Sequence, residues 1–123
     1  MESSRANKSW INQEPLTVID IGNVHFCLEH RTVEVSGKPV DLTAKEFDLF
    51  ALLILNMKRV LTYEVITDLV WSDEYSFYSR KSINNHISNI KKKLKALSSE
   101  GIEVKSVHGV GYKMDYSTKT PSG

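Results

Sequence analysis

Between residues 79 and 97 the apolar side chains Ile83, Ile87, Ile90, Leu94 and Leu97 recur at helical intervals. With successive residues about 100° apart around a helix axis, those five share one stripe, and Lys81, Asn85, Ser88, Lys92 and Lys95 lie roughly opposite. The pattern predicts a helix over 79–97, capped by Ser79, with one face for a core and one for something outside. Upstream the period is shorter. The runs TVIDI, HFCLEH, TVEV and PVDL, rich in Val and Ile, are separated by Gly22-Asn23 and by Ser36-Gly37-Lys38-Pro39, which reads as strands and turns of a small antiparallel sheet. At Thr43 the period changes again. Thr43 and Glu46 form a capping-box signature, and Phe47, Phe50, Ala51, Ile54 and Leu55 follow at helical spacing to about Asn56. Thr62 is placed to cap a second helix with Ile66, Leu69 and Val70 inward, ending near Trp71. After Ser98-Ser99-Glu100-Gly101 the segments EVKSV and YKMD flank His108-Gly109-Val110-Gly111, the signature of a hairpin.

The order is four strands, three helices and a terminal hairpin, without an internal repeat. It predicts an α+β fold: a winged helix-turn-helix with an N-terminal four-stranded antiparallel sheet, a three-helix core and a C-terminal β-hairpin wing over 103–114. The domain should span 17–115. Residues 1–16 are polar, with Trp10 and Ile11 isolated and Pro15 closing the stretch, and read as a linker or disordered N-terminus; residues 116–123 read as a disordered tail.

Composition narrows the class. At 41% hydrophobic and 25% charged residues, the chain lies outside the disordered range and has enough apolar material for one modest core. No apolar run approaches the roughly 18 residues of a membrane span, and MESSRANKSW lacks the apolar centre of a secretion signal, so a cytoplasmic location without membrane contact is expected. The single cysteine, Cys27, cannot staple the fold and belongs to no metal set; neither metal nor cofactor is expected. The net charge of +1 conceals a polarity. Residues 1–78 hold 7 basic and 12 acidic side chains, net −5, and residues 79–123 hold 9 and 3, net +6. A basic surface on an otherwise acidic chain suits a polyanion.

The outward side chains of the basic helix have the chemistry to read a duplex. Asn85 and Asn89, one turn apart, each offer the donor and acceptor that match adenine in the major groove. Arg80, Lys81, Lys91 and Lys92 suit phosphates, which hold register without selecting sequence. His86 lies at the edge of the apolar stripe, where packing and a phosphate hydrogen bond compete, and Trp71 suits a core better than a contact. Two rival classes fit the residues less well. An enzyme would have to use His25, Cys27, His30 or Gly109-x-Gly111. One Cys and one His two residues apart make a poor dyad and a poor metal set, and the glycine pair opens no helix that could cradle a phosphate. A protein-interaction module would dock an acidic partner through the same basic helix, and would not retard a promoter duplex over random DNA.

Four stretches carry a specific resemblance: Leu42-Thr43-x-x-Glu46-Phe47-x-Leu49, Val70-Trp71, Lys81-Ser82-Ile83-x-x-His86-Ile87-x-x-Ile90-x-x-x-Leu94 and Ser106-Val107-x-Gly109-Val110-Gly111-Tyr112. In this order they resemble the OmpR/PhoB-type effector domain of two-component response regulators, over residues 17–114. The resemblance implies a bacterial transcription regulator, not an enzyme, whose third helix reads double-stranded DNA while the wing reaches the adjacent minor groove. The implied DNA-facing positions are Trp71, Lys81, Ser82, Asn85, His86, Ser88, Asn89, Lys91, Ser106, His108 and Tyr112. It also gives the acidic, aromatic loop 72–78 a part in contacting RNA polymerase. The sequence departs from the family at Ser88-Asn89, where relatives often carry Arg-Arg, so bidentate guanine recognition is lost there and an A·T-leaning operator is expected. It departs again at His108, where a wing arginine is usual and fits a narrow minor groove better. The family places a receiver domain ahead of the effector domain, and 123 residues have no room for both. Either the chain is an excised effector domain whose residues before Thr17 are interdomain linker, or it acts without phosphorylation. Each apolar stripe is needed for the one core, so the free chain should be a monomer; the resemblance implies that copies lie in tandem on promoter direct repeats.

Overall fold

In the computed structural model, residues 15–72, 75 and 77–117 are described. The expected linker up to residue 14, the tail from residue 118, and residues 73, 74 and 76 of the acidic loop lie outside them. Four antiparallel strands in sequential order, β1 (Val18–Ile21), β2 (Val24–Cys27), β3 (Thr32–Val35) and β4 (Lys38–Pro39), form the first sheet. Val24, Phe26, Val33 and Val35 turn to the core, and His25 and Glu34 are cross-strand partners on the other face. The last strand is a two-residue edge strand; Pro39 lies opposite Glu34 and leaves the open edge without a donor there, and the Val40 amide reaches the Val33 carbonyl at 2.8 Å.

Helix α1 (Ala44–Ile54) starts at the capping box expected from its sequence: Thr43 Oγ1 accepts from the Glu46 amide and Glu46 Oε1 from the Thr43 amide. Its Phe47 and Phe50 pack on Phe26, with ring centroids 5.7 and 5.9 Å apart. Strand β5 (Leu61–Thr62) follows, then α2 (Tyr63–Ile66), capped by Thr62 Oγ1, which continues into a π-helical turn, Thr67–Trp71. Helix α3 (Phe77–Ala96) leads to the hairpin β6 (Ile102–Val107) and β7 (Gly111–Tyr116). The second sheet has the order β5-β7-β6.

Three expectations shift. Leu69 is 59% exposed rather than inward, whereas Ile66 and Val70 are buried. In the wider turn, with its i→i+5 bonding, the rotation per residue is smaller, so Val70 follows Ile66 onto the inner face and Leu69 turns out. The Thr67 hydroxyl donates to the Tyr63 carbonyl and Lys45 Nζ to the Val70 carbonyl, both at 2.8 Å, satisfying acceptors in this irregular segment. Second, α3 begins at Phe77, so Ser79 lies inside the helix; neither Phe nor Tyr is a residue type that breaks a helix. Third, β7 runs through Tyr116 and the Ser117 amide donates to the Gly101 carbonyl at 2.9 Å, so ordered structure passes the expected boundary at 115. Its pairing with β6, Ile102 opposite Tyr116, carries it on.

The first sheet joins the end of α3 by direct backbone approach. Gly22, at φ +59°, lies against Glu100 and Gly101 so closely that a Cβ there would sit 2.1 Å from the Glu100 carbonyl oxygen. Beside it, Asn23 Oδ1 accepts from the Glu100 amide at 2.6 Å while its Nδ2 donates to the Ser98 carbonyl and to Ser36 Oγ, both at 3.1 Å. One asparagine ties two of the sheet's three turns to the loop that ends the basic helix.

Candidate nucleic-acid interface

Helix α3 is divided as its pattern requires. Ile83, Ile87, Ile90 and Leu94 are buried, and Arg80, Lys81, Asn85, Ser88, Asn89, Lys91, Lys92 and Lys95 are exposed. The buried side seats the helix against α1 and the hairpin, and the exposed side is free of carboxylates over residues 79–99. The six basic side chains do not act alike. Lys93 is committed within the protein: its half-buried side chain places Nζ 2.6 Å from the buried Glu46 Oε1 and donates to the Asp41 carbonyl at 2.7 Å. Burial alone would push the Glu46 carboxyl upward, but the Lys93 ammonium and the Thr43 amide outweigh it and hold the group below its ordinary value. The pair anchors α3 on the first turn of α1.

Flanking that face, the Trp71 and His86 rings meet edge to face at 5.1 Å, and the Lys45 ammonium lies 5.8 Å from the Trp71 ring centroid. His86 Nδ1 is 2.8 Å from the Ser82 carbonyl. A carbonyl only accepts, so Nδ1 carries the proton, and Nε2 can donate to a phosphate only when the ring is charged. Both residues are half-buried, which combines the packing and surface roles that the sequence left open.

In the wing, Ser106 and His108 are exposed and Val110 is 43% exposed at the turn. Tyr112 differs: it is buried, and its hydroxyl donates to Asn84 Oδ1 at 2.7 Å. That oxygen also accepts from Tyr63 at 3.0 Å, and the two tyrosine rings cross edge to face at 6.0 Å. The resemblance placed Tyr112 facing DNA; here its side chain faces Asn84. Asn84 had no local signal in the sequence, because its partners are 21 and 28 residues away. Burial, then the adjacent Tyr63, pushes the Tyr112 phenol up to about 12 from 10.0. The neutral form is therefore favoured by folding: the contribution to stability is complete below pH 10.0 and is lost as pH rises toward 12. An ultraviolet tyrosinate titration should show one late-ionising group that Tyr112→Phe removes. Uniform ionisation of the tyrosines in the ordinary range would contradict this.

Gly111 sets the wing against β5. A Cβ there would lie 1.9 Å from the Leu61 carbonyl oxygen, so only glycine permits the pairing of Thr62 with Gly111. Among the described residues no cluster of His, Cys, Asp and Glu could hold a metal ion, and no helix is long and apolar enough to cross a membrane.

The family described as "Transcriptional regulatory protein, C terminal" matches residues 37–114, more than half of the chain. The chain belongs to this family. It is the OmpR/PhoB type of winged helix, a family of transcriptional regulators and not of enzymes. The sensory transduction protein RegX3 of Mycolicibacterium smegmatis is 33% identical over 98 residues, covering 80% of this chain and 42% of that protein. The chain therefore spans about four-tenths of that relative. The DNA-binding domain of CpxR from E. coli has the same fold, with a TM-score of 0.71 at 24% identity over 80% of this chain and 96% of that one. The response regulator DrrB of Thermotoga maritima, an OmpR/PhoB homologue, superposes with a TM-score of 0.69 at 26% identity, covering 89% of this chain and 49% of that one. Within this family the winged helix expected from the pattern of strands and helices is the fold found.

Proposed function

We propose that this chain is the sequence-specific, double-stranded-DNA-binding effector part of a bacterial response regulator, acting in the cytoplasm, with α3 in the major groove and the hairpin at the minor groove. The observation that carries the reading is the exposed face of α3. Asn85 and Asn89 stand one turn apart among Lys81, Lys91 and Lys92, with no acidic side chain on the helix and the opposite face fully used by the core. Asn85 and Asn89 read bases; the lysines hold phosphates; Trp71 and His86 border one strand; Ser82 and Ser88 complete the helix face, and Ser106 and His108 present the wing.

By itself the chain is a monomer, and two copies are brought together only by direct repeats about one helical turn apart. The loop 72–78 is the proposed RNA polymerase contact. Lys92→Ala should weaken binding to all duplexes alike and lower the salt slope by about one unit. Titrations at several salt concentrations on one-site and two-site duplexes test both points. An unchanged slope would remove the phosphate role, and equal affinity per site at every spacing would remove the tandem arrangement. A chain that docks acidic proteins through α3 would show no preference for any duplex.

A further inference from the structure

Arg80 joins three parts of the molecule at the start of the basic helix. Its Nε donates to the Tyr75 hydroxyl at 2.7 Å, its Nη2 donates to the Gly109 carbonyl at 3.1 Å, and its guanidinium carbon lies 4.6 Å from the centroid of the Tyr63 ring. Gly109 is in the wing turn, which is closed by the Val110 amide on the Val107 carbonyl at 2.9 Å. One helical turn further on, Asn84 Oδ1 accepts from Tyr63 and from Tyr112 of β7. Arg80 and Asn84 therefore form two rungs along the wing-facing flank of α3: the first holds the turn of the hairpin and the second holds its returning strand. A cation that merely met phosphate would need none of these partners. The planar, forked guanidinium is what allows one side chain to engage a hydroxyl, a carbonyl and an aromatic face together, and an ammonium cannot reproduce that geometry.

We propose that Arg80 is a positioning residue for the wing: it locks the turn 107–111 against the start of α3, so that helix and wing meet a duplex as one preformed surface. Two of its N–H groups serve the lock and the rest of the guanidinium remains to face phosphate. Without the lock, the turn keeps only its backbone bonds, among them the Tyr63 amide on the Val110 carbonyl at 3.1 Å, and the freedom it gains must be removed at binding, which subtracts from affinity. The effect on affinity rests on the DNA-binding reading above, whereas the lock is a property of the free chain.

The test uses the full chain, with amide exchange at Val110 measured without DNA and affinity for a selected duplex measured across a salt series. Arg80→Lys keeps the charge and should accelerate exchange at Val110. It should lower affinity about tenfold while leaving the salt slope unchanged. Arg80→Ala should lose more and reduce the slope by about one unit. Tyr75→Phe, which removes one partner of the lock and no charge, should shift exchange in the same direction by less. If Arg80→Lys exchanges and binds as the wild type does while Arg80→Ala binds weakly, Arg80 is a plain phosphate contact and the lock is overturned. A wild-type chain that prefers no duplex would overturn the DNA reading alone, and the exchange at Val110 would then decide the lock by itself.

Discussion

Gly22→Ala is expected to destabilise the fold by roughly 3 kcal/mol or more, combining the left-handed penalty of a side chain with overpacking against backbone. At φ +59° a Cβ would lie 2.1 Å from the Glu100 oxygen, 2.7 Å from its carbonyl carbon and 2.9 Å from the Gly101 Cα. No rotamer relieves that contact, because every atom it meets is main chain. The two loops must separate, and the hydrogen bonds of Asn23 to Ser98 and Glu100 are lost with them. Gly37→Ala is the control. Gly37 has φ +79° and nothing within 4 Å of an added Cβ, so it should lose only the conformational term of about 1 kcal/mol. Chemical denaturation of the two variants separates close approach from backbone conformation. Equal losses would show that the sheet does not rest on the end of α3.

How much of this was legible in the sequence depends on the range of the interaction. The capping box of α1 and the stripes of α1 and α3 could be read because their causes lie within one or two turns of the chain. The Gly22-Asn23 turn was legible as a turn, but its seat against Glu100 and Gly101 was not, since the partners meet only after folding. Strand β5 was missed for the same reason: two residues carry no period, and Leu61 and Thr62 are strand because Gly111 and Tyr112 pair with them. The π-helical turn turned Leu69 outward against a pattern that placed it inside. At the interface, the outward positions of Asn85, Asn89 and Lys92 followed from spacing alone. The divergence of Lys93 to Glu46, of Arg80 to the wing and of Tyr112 to Asn84 required tertiary contacts that no spacing encodes. Charge identified the basic helix, and packing decided which of its cations remain outside.

The second large effect concerns sequence discrimination. Asn85→Ala should relax preference at one base pair, with a cost of about 1–3 kcal/mol against the preferred base, because the exposed amide can give and accept a hydrogen bond at once. Affinity for random duplex should hardly change, since the surrounding lysines stay in place and phosphate contact does not depend on sequence. Structural loss is not expected to confuse the result, as Asn85 is exposed and lies opposite the buried Ile83 and Ile87. A variant that lost operator and random DNA equally would show that Asn85 does not read bases.

The direct measurement is selection of bound sites from a pool of random duplexes, carried out in parallel with the wild-type chain and with Asn85→Ala. An enriched, A·T-leaning motif is expected, repeated in the same orientation about one helical turn apart, with one position of that motif flattened in the variant. Recovery of no motif by the wild-type chain, or of the same motif undiminished by the variant, would contradict this expectation.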